Sequence, residues 1–567
     1  MNRGRLLGLV SLTLCLFTAS DCSGPPVPDA SVDVAARVSV SAEVSPRPSS
    51  KVRLPPIASP TLRARPSPTA MIRPTPIGTA TLTLRLMPPT ATPDSTSTSA
   101  PTTAREPTAT PTATPSATPS AIPLPTADAG WAVNAGDAPR VEEASITINT
   151  FAYDSALVPT AEDDPVYPYP RLDHEGVGSP SPKTHRAIVL ENQYLELTIL
   201  PDLGGRIYRW VDKASGKNLF YQNPVIKPTT WGNRGWWLAT GGMEWALPLD
   251  EHGLSEASRW DYELRQGVNL ASVTVGNIEE RSGLVSEITI SLDADHAYFT
   301  LIPEIANPGD APVSFKFWLN GMFGLGSQQV GPGLEFVLPG REVFVHSTGD
   351  DSLPDGGELM DWPVFEGRDL SDYGTWTSYL GAFAAPSVQA DYMGAYSNVT
   401  DLGVVRIFPH ETATGAKIFG TGNIDPARWT IDESSYFELW GGLAPTFEDE
   451  TVLEGGDSIT WQERWYAVAD IGGFDFANEE AALRLDVDEP LIHVAVAITR
   501  PLIGYLTLWR DGEQIKAWPL SVSPTRSFQR AVTSPDGGAT GSWGLSLHDQ
   551  EGSQVAAEGE TGTVVVH

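Results

Sequence analysis

A glutamate and a histidine lie in a segment crowded with glycine and tryptophan. Glu244 and His252 belong to "GGMEWALPLDEHG", which closely follows "TTWGNRGWW". Carboxylate and imidazole groups can exchange protons with a ligand, and indole rings offer flat apolar surfaces. These residue types together predict a site for a ligand that has apolar faces and a polar rim.

Tryptophan is concentrated in one part of the chain, because fourteen of the seventeen lie between residues 131 and 471. A sugar ring has apolar C–H faces and hydroxyls at its rim, so sugar sites pair aromatic platforms with polar side chains. The alternative for any one indole is ordinary core packing. Adjacent strand residues face opposite ways, so at most one of Trp236 and Trp237 can join a given core. We predict four platforms: Trp231, Trp236, Trp237 and Trp440.

The polar members of the predicted site are spread along the chain. Glu438 lies between Phe437 and Leu439 in a strand-like run, and burial among aromatic rings would raise its pKa toward that of a useful general base. The alternative interpretation of Glu438 is a glutamate that points to solvent from an alternating strand. We predict that three residues are catalytic: Glu438, Glu244 and His252. We predict that Arg206 and Asn320 form hydrogen bonds with substrate hydroxyls.

Each of the other polar residues also has a structural alternative. Glu244 could accept backbone N–H groups in a Gly-Gly turn, His252 could lie in a surface turn, and Arg206 could pair with an acidic neighbour. The sequence contains no phosphate-binding Gly-Lys-Ser/Thr loop, no zinc-like Cys/His spacing and no Gly-x-Ser-x-Gly elbow. No metal or cofactor is therefore predicted.

The first 130 residues differ from the rest in composition. Arg3 and Arg5 precede a short apolar run, which predicts an export signal over residues 1–23 and a secreted or cell-surface protein. Lipidation at Cys22 is an alternative fate of this signal. Residues 24–130 are rich in Pro, Thr, Ser and Ala, which predicts a disordered tether.

The charge of the chain limits its partners. The net charge is −33, and the region after residue 130 carries −37 because residues 1–24 carry +1 and residues 25–130 carry +3. So acidic a surface repels phosphate backbones, which argues against nucleic-acid binding. The predicted partner is a carbohydrate, either a monosaccharide or a glycan.

After about residue 140 the apolar residues recur with a period of two. Ile288, Ile290 and Leu292 share one face of "VSEITISL", and Gly and Pro punctuate the chain at short intervals. Only "ANEEAALRL" keeps helical spacing and predicts one short helix. We predict an all-β protein with a large antiparallel β-supersandwich over residues 131–471 and a small immunoglobulin-like β-sandwich over 472–567.

The chain also resembles a known bacterial family over roughly residues 140–471. The resemblance rests on "VLENQYLELTILPDLGGRIYRWVDKASGKNLFY", "WWLATGGMEWALPLDEHG", "FKFWLNGMF", "GAKIFGTGN" and "YFELWGGLAPTFEDETVLEGGDSITWQERWY". These motifs are similar to the family called domain of unknown function 5107, which itself resembles the galactose mutarotase-like supersandwich proteins. The resemblance implies a large β-sandwich whose concave face binds carbohydrate.

The resemblance also implies roles for particular residues. In aldose 1-epimerases of this superfamily a late-strand glutamate takes the proton of the anomeric hydroxyl, and Glu438 looks like that residue. Thr240 and Asn320 occupy the places of the two histidines expected from the epimerase pattern. Since a general acid contributes a large factor in rate, either His252 or Glu244 has replaced them or the reaction has been lost.

Three functions remain open from the sequence. The first is a tethered carbohydrate-binding protein that acts on sugars by carboxylate acid/base catalysis, as an epimerase or a glycosidase does. The second is a non-catalytic adhesion or scaffold module of the cell envelope. The third is a polysaccharide lyase, for which His252 is the one candidate base.

Overall fold

The computed structural model describes residues 138–488, 490–534, 541–557 and 564–565. The predicted signal, the tether, Trp131 and Cys22 lie outside the described residues. Within them the chain is nearly all β, so the predicted fold class is confirmed. The described helices are short 3₁₀ turns: Asp154–Ala156, His174–Gly176, Pro201–Leu203, Tyr373–Thr375 and Pro426–Arg428.

The first strands in chain order are β1 Arg140–Ala152, β2 Leu157–Val158, β3 Arg171–Leu172, β4 Gly178–Glu191, β5 Leu195–Leu200, β6 Arg206–Asp212, β7 Lys217–Asn218, β8 Gln222–Pro228, β9 Leu238–Ala246, β10 Asp261–Gln266, β11 Leu270–Ile278, β12 Val285–Asp293 and β13 Tyr298–Ala306. The next are β14 Val313–Phe315, β15 Trp318–Phe323, β16 Leu334–Val337, β17 Glu342–Thr348, β18 Leu359–Asp361, β19 Val364–Phe365, β20 Arg368–Asp369, β21 Leu380–Ala384, β22 Tyr392–Ser397, β23 Leu402–Ile407, β24 Gly415–Gly420, β25 Phe437–Gly442, β26 Thr451–Leu453, β27 Ser458–Thr460 and β28 Glu463–Ala469. The last are β29 Phe476–Ala477, β30 Ala481–Asp488, β31 Leu491–Ile498, β32 Leu502–Arg510, β33 Glu513–Val522, β34 Phe528–Thr533, β35 Ser542–Asp549, β36 Gln554–Ala557 and β37 Val564–Val565.

Two large sheets pack face to face and form the main core. One has 13 strands in the order β18-β17-β21-β24-β25-β15-β9-β8-β1-β4-β5-β6-β7, and the other follows β10-β11-β12-β13-β28-β23-β22-β16 with β27 beside β13. The alternation predicted for β12 is confirmed, because Ile288, Ile290 and Leu292 are fully buried in the core between the sheets.

The same alternation directs other side chains to the far face of the 13-stranded sheet. In β25, Phe437 and Leu439 enter the main core, so Glu438 and Trp440 point the opposite way. Every residue of β25 is nevertheless buried, since the loops cover that far face. This covered face carries the candidate site.

A buried ion pair between neighbouring strands of the nine-stranded sheet also contacts the 13-stranded sheet. The Arg406 guanidinium on β23 donates to both carboxylate oxygens of Glu463, at 2.8 and 2.7 Å, and neither side chain is exposed. Arg406 also donates to the carbonyl oxygen of Trp440 on β25 at 3.3 Å. A Cβ atom at Gly441 would lie 2.2 Å from the guanidinium, so glycine permits this approach.

The last strands form a smaller two-sheet sandwich. A four-stranded sheet, β29-β30-β31-β34, packs on a five-stranded one built on β33-β32-β35-β36, and they share a separate apolar core. The short helix predicted from "ANEEAALRL" is wrong, because Leu483 and Leu485 alternate into this core as part of β30. Tyr298 and Tyr466 of the larger sandwich pack with residues of the smaller one. The boundary at residue 471 stays a prediction.

Among the described residues, no helix has the length and apolar character that a membrane span requires. The described His, Cys, Asp and Glu side chains form no cluster of three or more suited to a metal ion.

Candidate functional site

Three neighbouring strands bring distant parts of the chain together. Asn320 on β15 lies opposite Glu244 on β9 and opposite Trp440 on β25. Side chains directly opposite in an antiparallel sheet share one face, so these three residues form a row on the covered face. Glu438 faces the same way because it is two residues from Trp440.

Two glycines let β9 approach its neighbours closely. Gly241 and Gly242 have φ angles of 86° and 78°. A Cβ atom would lie 2.3 Å from the Tyr221 carbonyl oxygen at Gly241 and 2.2 Å from the Ile207 carbonyl oxygen at Gly242. The Gly-Gly pair therefore fixes the strand that carries Glu244, through a left-handed backbone that side chains disfavour.

Glu244 is the centre of a buried polar cluster. It accepts hydrogen bonds from the Trp237 indole at 3.1 Å and contacts the Arg206 guanidinium at 3.1 Å and His252 Nδ1 at 2.7 Å. Burial alone would raise the pKa of Glu244, but Arg206 and His252 together hold it below its usual range. The carboxylate is thus ionised, and the structural alternatives for Glu244 as a turn acceptor and His252 as a surface residue do not describe these contacts.

His252 is held in one orientation by its neighbours. Its ring stacks on Trp237 with centroids 4.0 Å apart, and Nδ1 faces Glu244. Burial opposes the charged imidazole, yet Glu244 outweighs it and the pKa of His252 is raised. The side chain is 12% exposed, and Nε2 is the nitrogen left for a ligand.

Glu438 has a different environment from Glu244. It accepts from Trp440 Nε1 at 2.8 Å and from Asn320 Nδ2 at 3.2 Å, and no salt bridge to it occurs among the described residues. Burial raises the pKa of Glu438, and attraction to Lys417 and His252 only partly offsets this. The pKa of Glu438 is therefore shifted upward by burial, which is the direction expected for a carboxylate among aromatic rings.

Lys417 lies on the same face of the sheet and is not predicted from the sequence. This residue of β24 is 2% exposed, and its Nζ lies 4.3 Å from the Trp440 ring and 4.6 Å from the Phe447 ring. Its Nζ has no hydrogen-bond acceptor among the described residues. Burial lowers its pKa to about 8. Its place between Ala416 and Ile418 indicates only that it faces away from the core, which for a lysine usually means solvent.

A cavity of about 580 Å³ opens beside these groups. Five predicted residues line it: Trp231, Trp237, His252, Glu438 and Trp440. Its wall also includes His346, Tyr379, Lys417, Phe419 and Tyr436. Arg206, Glu244 and Asn320 do not line the cavity but hold the groups that do, so they are positioning residues in this geometry.

Trp236 lies apart from the cavity. Its indole donates to the Pro170 carbonyl oxygen at 3.0 Å, stacks with Arg234 at 3.9 Å and packs near Tyr153. Trp237 packs with a different group of residues, although neither residue of the pair lies in a strand, because β9 begins at Leu238. The structure thus brings one member of the pair to the cavity.

Two family profiles match separate parts of the chain. The profile described as Domain of unknown function (DUF5107) matches residues 161–453, and the profile described as YphG-like protein, second domain, matches residues 476–557. A TPR-domain containing protein from Parabacteroides distasonis is similar in structure, with 24% identity and a TM-score of 0.52. That match covers 58% of this chain and 55% of the other protein, and it shows a shared fold.

Two further solved structures are more distantly similar. A galactose mutarotase-like protein from Clostridium acetobutylicum has 12% identity and a TM-score of 0.36, covering 50% of this chain and 96% of its own. A galactose mutarotase related enzyme from Lactobacillus acidophilus has 12% identity and a TM-score of 0.35, covering 50% and 97%.

Proposed function

Since this chain belongs to the DUF5107 family, whose matched region supplies every strand of the cavity, we propose that the cavity binds a carbohydrate and catalyses proton transfer at its anomeric centre. The proposal is supported by one observation above all. Three indoles, Trp231, Trp237 and Trp440, share a wall with two proton-transfer groups, Glu438 and His252. A pyranose offers apolar faces to the first and hydroxyls to the second.

The two proton-transfer groups have complementary states. Glu438 has no ion-pair partner among the described residues and has a raised pKa, so in its ionised form it is a base strong enough to take the proton of an anomeric hydroxyl. His252, whose pKa is raised by Glu244, is the acid that donates its proton to the ring oxygen as the bond between that oxygen and the anomeric carbon breaks. Reclosure on the opposite face returns both protons and inverts the anomeric hydroxyl.

His252 is a better acid candidate than Glu244. Glu244 is ionised by the Arg206 guanidinium and lies behind the cavity wall. In this proposal His252 takes the role that two histidines have in the epimerase pattern. Thr240 and Asn320 occupy the places of those histidines in this chain.

The catalytic part is tested by polarimetry and NMR exchange on a panel of aldohexoses. Glu438→Gln should lower the anomerisation rate by on the order of 10²–10⁴-fold. Sugar affinity measured by calorimetry should change little, because glutamine has nearly the shape of glutamate and its one carbonyl oxygen still accepts a hydrogen bond from Asn320 or from Trp440. A wild-type rate equal to the uncatalysed rate, with sugar binding intact, would leave a binding module and refute the enzymatic part.

The binding part is tested with the most accessible platform. Trp231 is half-buried and its ring stacks on Trp429. Trp231→Ala should weaken sugar binding by about 2 kcal/mol, or roughly 30-fold in Kd. The matched control is Trp518→Ala, which removes a half-buried indole from the smaller sandwich. Equal affinities in the two variants would refute the platform.

We also propose that the protein acts outside the cytoplasm. The basis is Arg3 and Arg5 before a short apolar run, followed by the Pro/Thr-rich segment. Cell fractionation with an antibody against residues 138–557 tests this, and detection only in the cytoplasmic fraction would refute it. Incorporation of a labelled fatty acid that is lost in Cys22→Ser would identify anchoring at Cys22.

A further inference from the structure

The row that carries the candidate site continues beyond the first cavity. Trp440 on β25 lies opposite Lys417 on β24, which lies opposite Phe383 on β21, which lies opposite Phe344 on β17. With Asn320 and Glu244 the row crosses six strands. At a spacing of about 4.8 Å between neighbouring strands, it spans about 24 Å, far more than one six-membered ring.

A second cavity of about 820 Å³ lies at the far end of this row. Phe344 and Phe383 line it, whereas Trp440 and Lys417 line the first cavity. Glu251 and His346 belong to the walls of both cavities. The two cavities therefore adjoin and form one cleft along one face of the sheet.

The second cavity has the mixed character expected of a further sugar subsite. The Phe344 ring is half-buried, so part of its surface is open to a ligand. His346 packs against Phe383 and Phe447, and burial lowers its pKa to about 2, so it is a neutral hydrogen-bonding group. Aromatic surface beside neutral polar groups suits a sugar ring.

Charge limits which glycan fits. Four carboxylates line the second cavity, Asp250, Glu251, Glu448 and Asp449, and its described lining contains no lysine or arginine. Lys316 pairs with Asp250 at 2.7 Å and so offsets one of the four. The negative charge of the other three carboxylates repels anionic groups of a ligand.

We infer that the cleft takes an oligosaccharide without acidic groups, with one ring in the first cavity and at least one more in the second. This inference rests on the proposed function, because it extends the same sugar site. Each added ring should contribute apolar contact and hydroxyl bonds until both cavities are filled.

The test is calorimetry with glucose, with β-1,4- and α-1,4-linked glucose oligomers of two to six units, with chitosan oligomers, and with oligogalacturonate. Affinity should rise at least about tenfold from one ring to three or four in one of the series without carboxylates, then level off. Oligogalacturonate should show no such rise. A rise with oligogalacturonate alone would overturn the assignment of a non-acidic ligand.

A pair of variants locates the added rings. Phe344→Ala should lower the affinity for the best oligomer by about tenfold and leave the affinity for glucose unchanged. Phe365→Ala, which truncates a half-buried ring outside both cavities, is the matched control and should change neither affinity.

The outcomes separate this inference from the proposed function. If glucose binds and no series gains affinity with length, the inference is overturned and the carbohydrate site remains. A gain that Phe344→Ala does not reduce would also overturn it. If none of the probes binds, both the inference and the proposed carbohydrate site fail.

Discussion

Two buried centres of this protein use the same kinds of residue for different ends. In the main core, Arg406 pairs with Glu463, which accepts indole N–H groups from Trp461 and Trp465. Beside the cavity, Arg206 pairs with Glu244, which accepts the indole N–H of Trp237. We call the first the closed centre and the second the open centre.

The difference lies in one added side chain. No residue of the closed centre lines either cavity, and each oxygen of Glu463 faces a guanidinium N–H and an indole N–H. In the open centre, His252 lies between Glu244 and the cavity. A buried ion pair is weak evidence for function; here function is indicated only where a titratable group connects the pair to a cavity.

The largest effect is expected when the closed centre is broken. Glu463→Gln leaves the Arg406 guanidinium buried without a counter-charge, which should lower the free energy of unfolding by about 3–5 kcal/mol in urea denaturation. The control is Glu196→Gln, whose pair with Arg209 is partly exposed and should cost less than about 1 kcal/mol. Similar losses in both variants would contradict a structural role for the closed centre.

A smaller effect, of opposite sign, is expected from the cleft lysine. The pKa of Lys417 falls from 10.5 to about 8 on folding, so the folded state disfavours its charge. Lys417→Met should raise the free energy of unfolding by on the order of 2 kcal/mol near neutral pH.

The pH dependence of that gain fixes its cause. The penalty is complete below about pH 8, where Lys417 is charged in both states, and disappears above about pH 10.5, where it is neutral in both. The gain from Lys417→Met should therefore shrink between these values. Lys516→Met, at an exposed position, should show no such trend. A gain that is constant with pH would exclude the charge as its source.

The smallest effect comes from a matched pair of indoles. Trp461→Phe and Trp237→Phe each remove one N–H donor from a buried glutamate, and each should cost about 1 kcal/mol of unfolding free energy. Only Trp237→Phe should also alter the pH profile of sugar binding or turnover, because it acts on the Glu244–His252 pair. If both variants change that profile equally, the distinction between the centres is wrong.

Much of the architecture can be predicted from the sequence. Alternating residues such as Ile288 and Ile290 determine which face of a strand is buried, and the two-residue period alone identifies an all-β chain. The same rule places Glu438 and Trp440 on the opposite face from Phe437 and Leu439. The residue types around "GGMEW" and "DEHG" identify proton-transfer groups before any coordinates are known.

Helical spacing misleads in one short segment. "ANEEAALRL" fits a helix by spacing, yet Leu483 is drawn into a strand by its neighbours in the sheet. Tertiary pairing overrides the weak local preference in so short a segment.

Sequence determined the class of fold, the direction of each strand side chain and the chemical groups available. Only the tertiary structure decided that loops cover the far face of the 13-stranded sheet. It also decided that Lys417 and His346 line the first cavity and that Trp236 does not. The physical reason is that alternation is a local property of one strand, whereas burial, pKa and cavity shape depend on residues brought together from strands far apart in the chain.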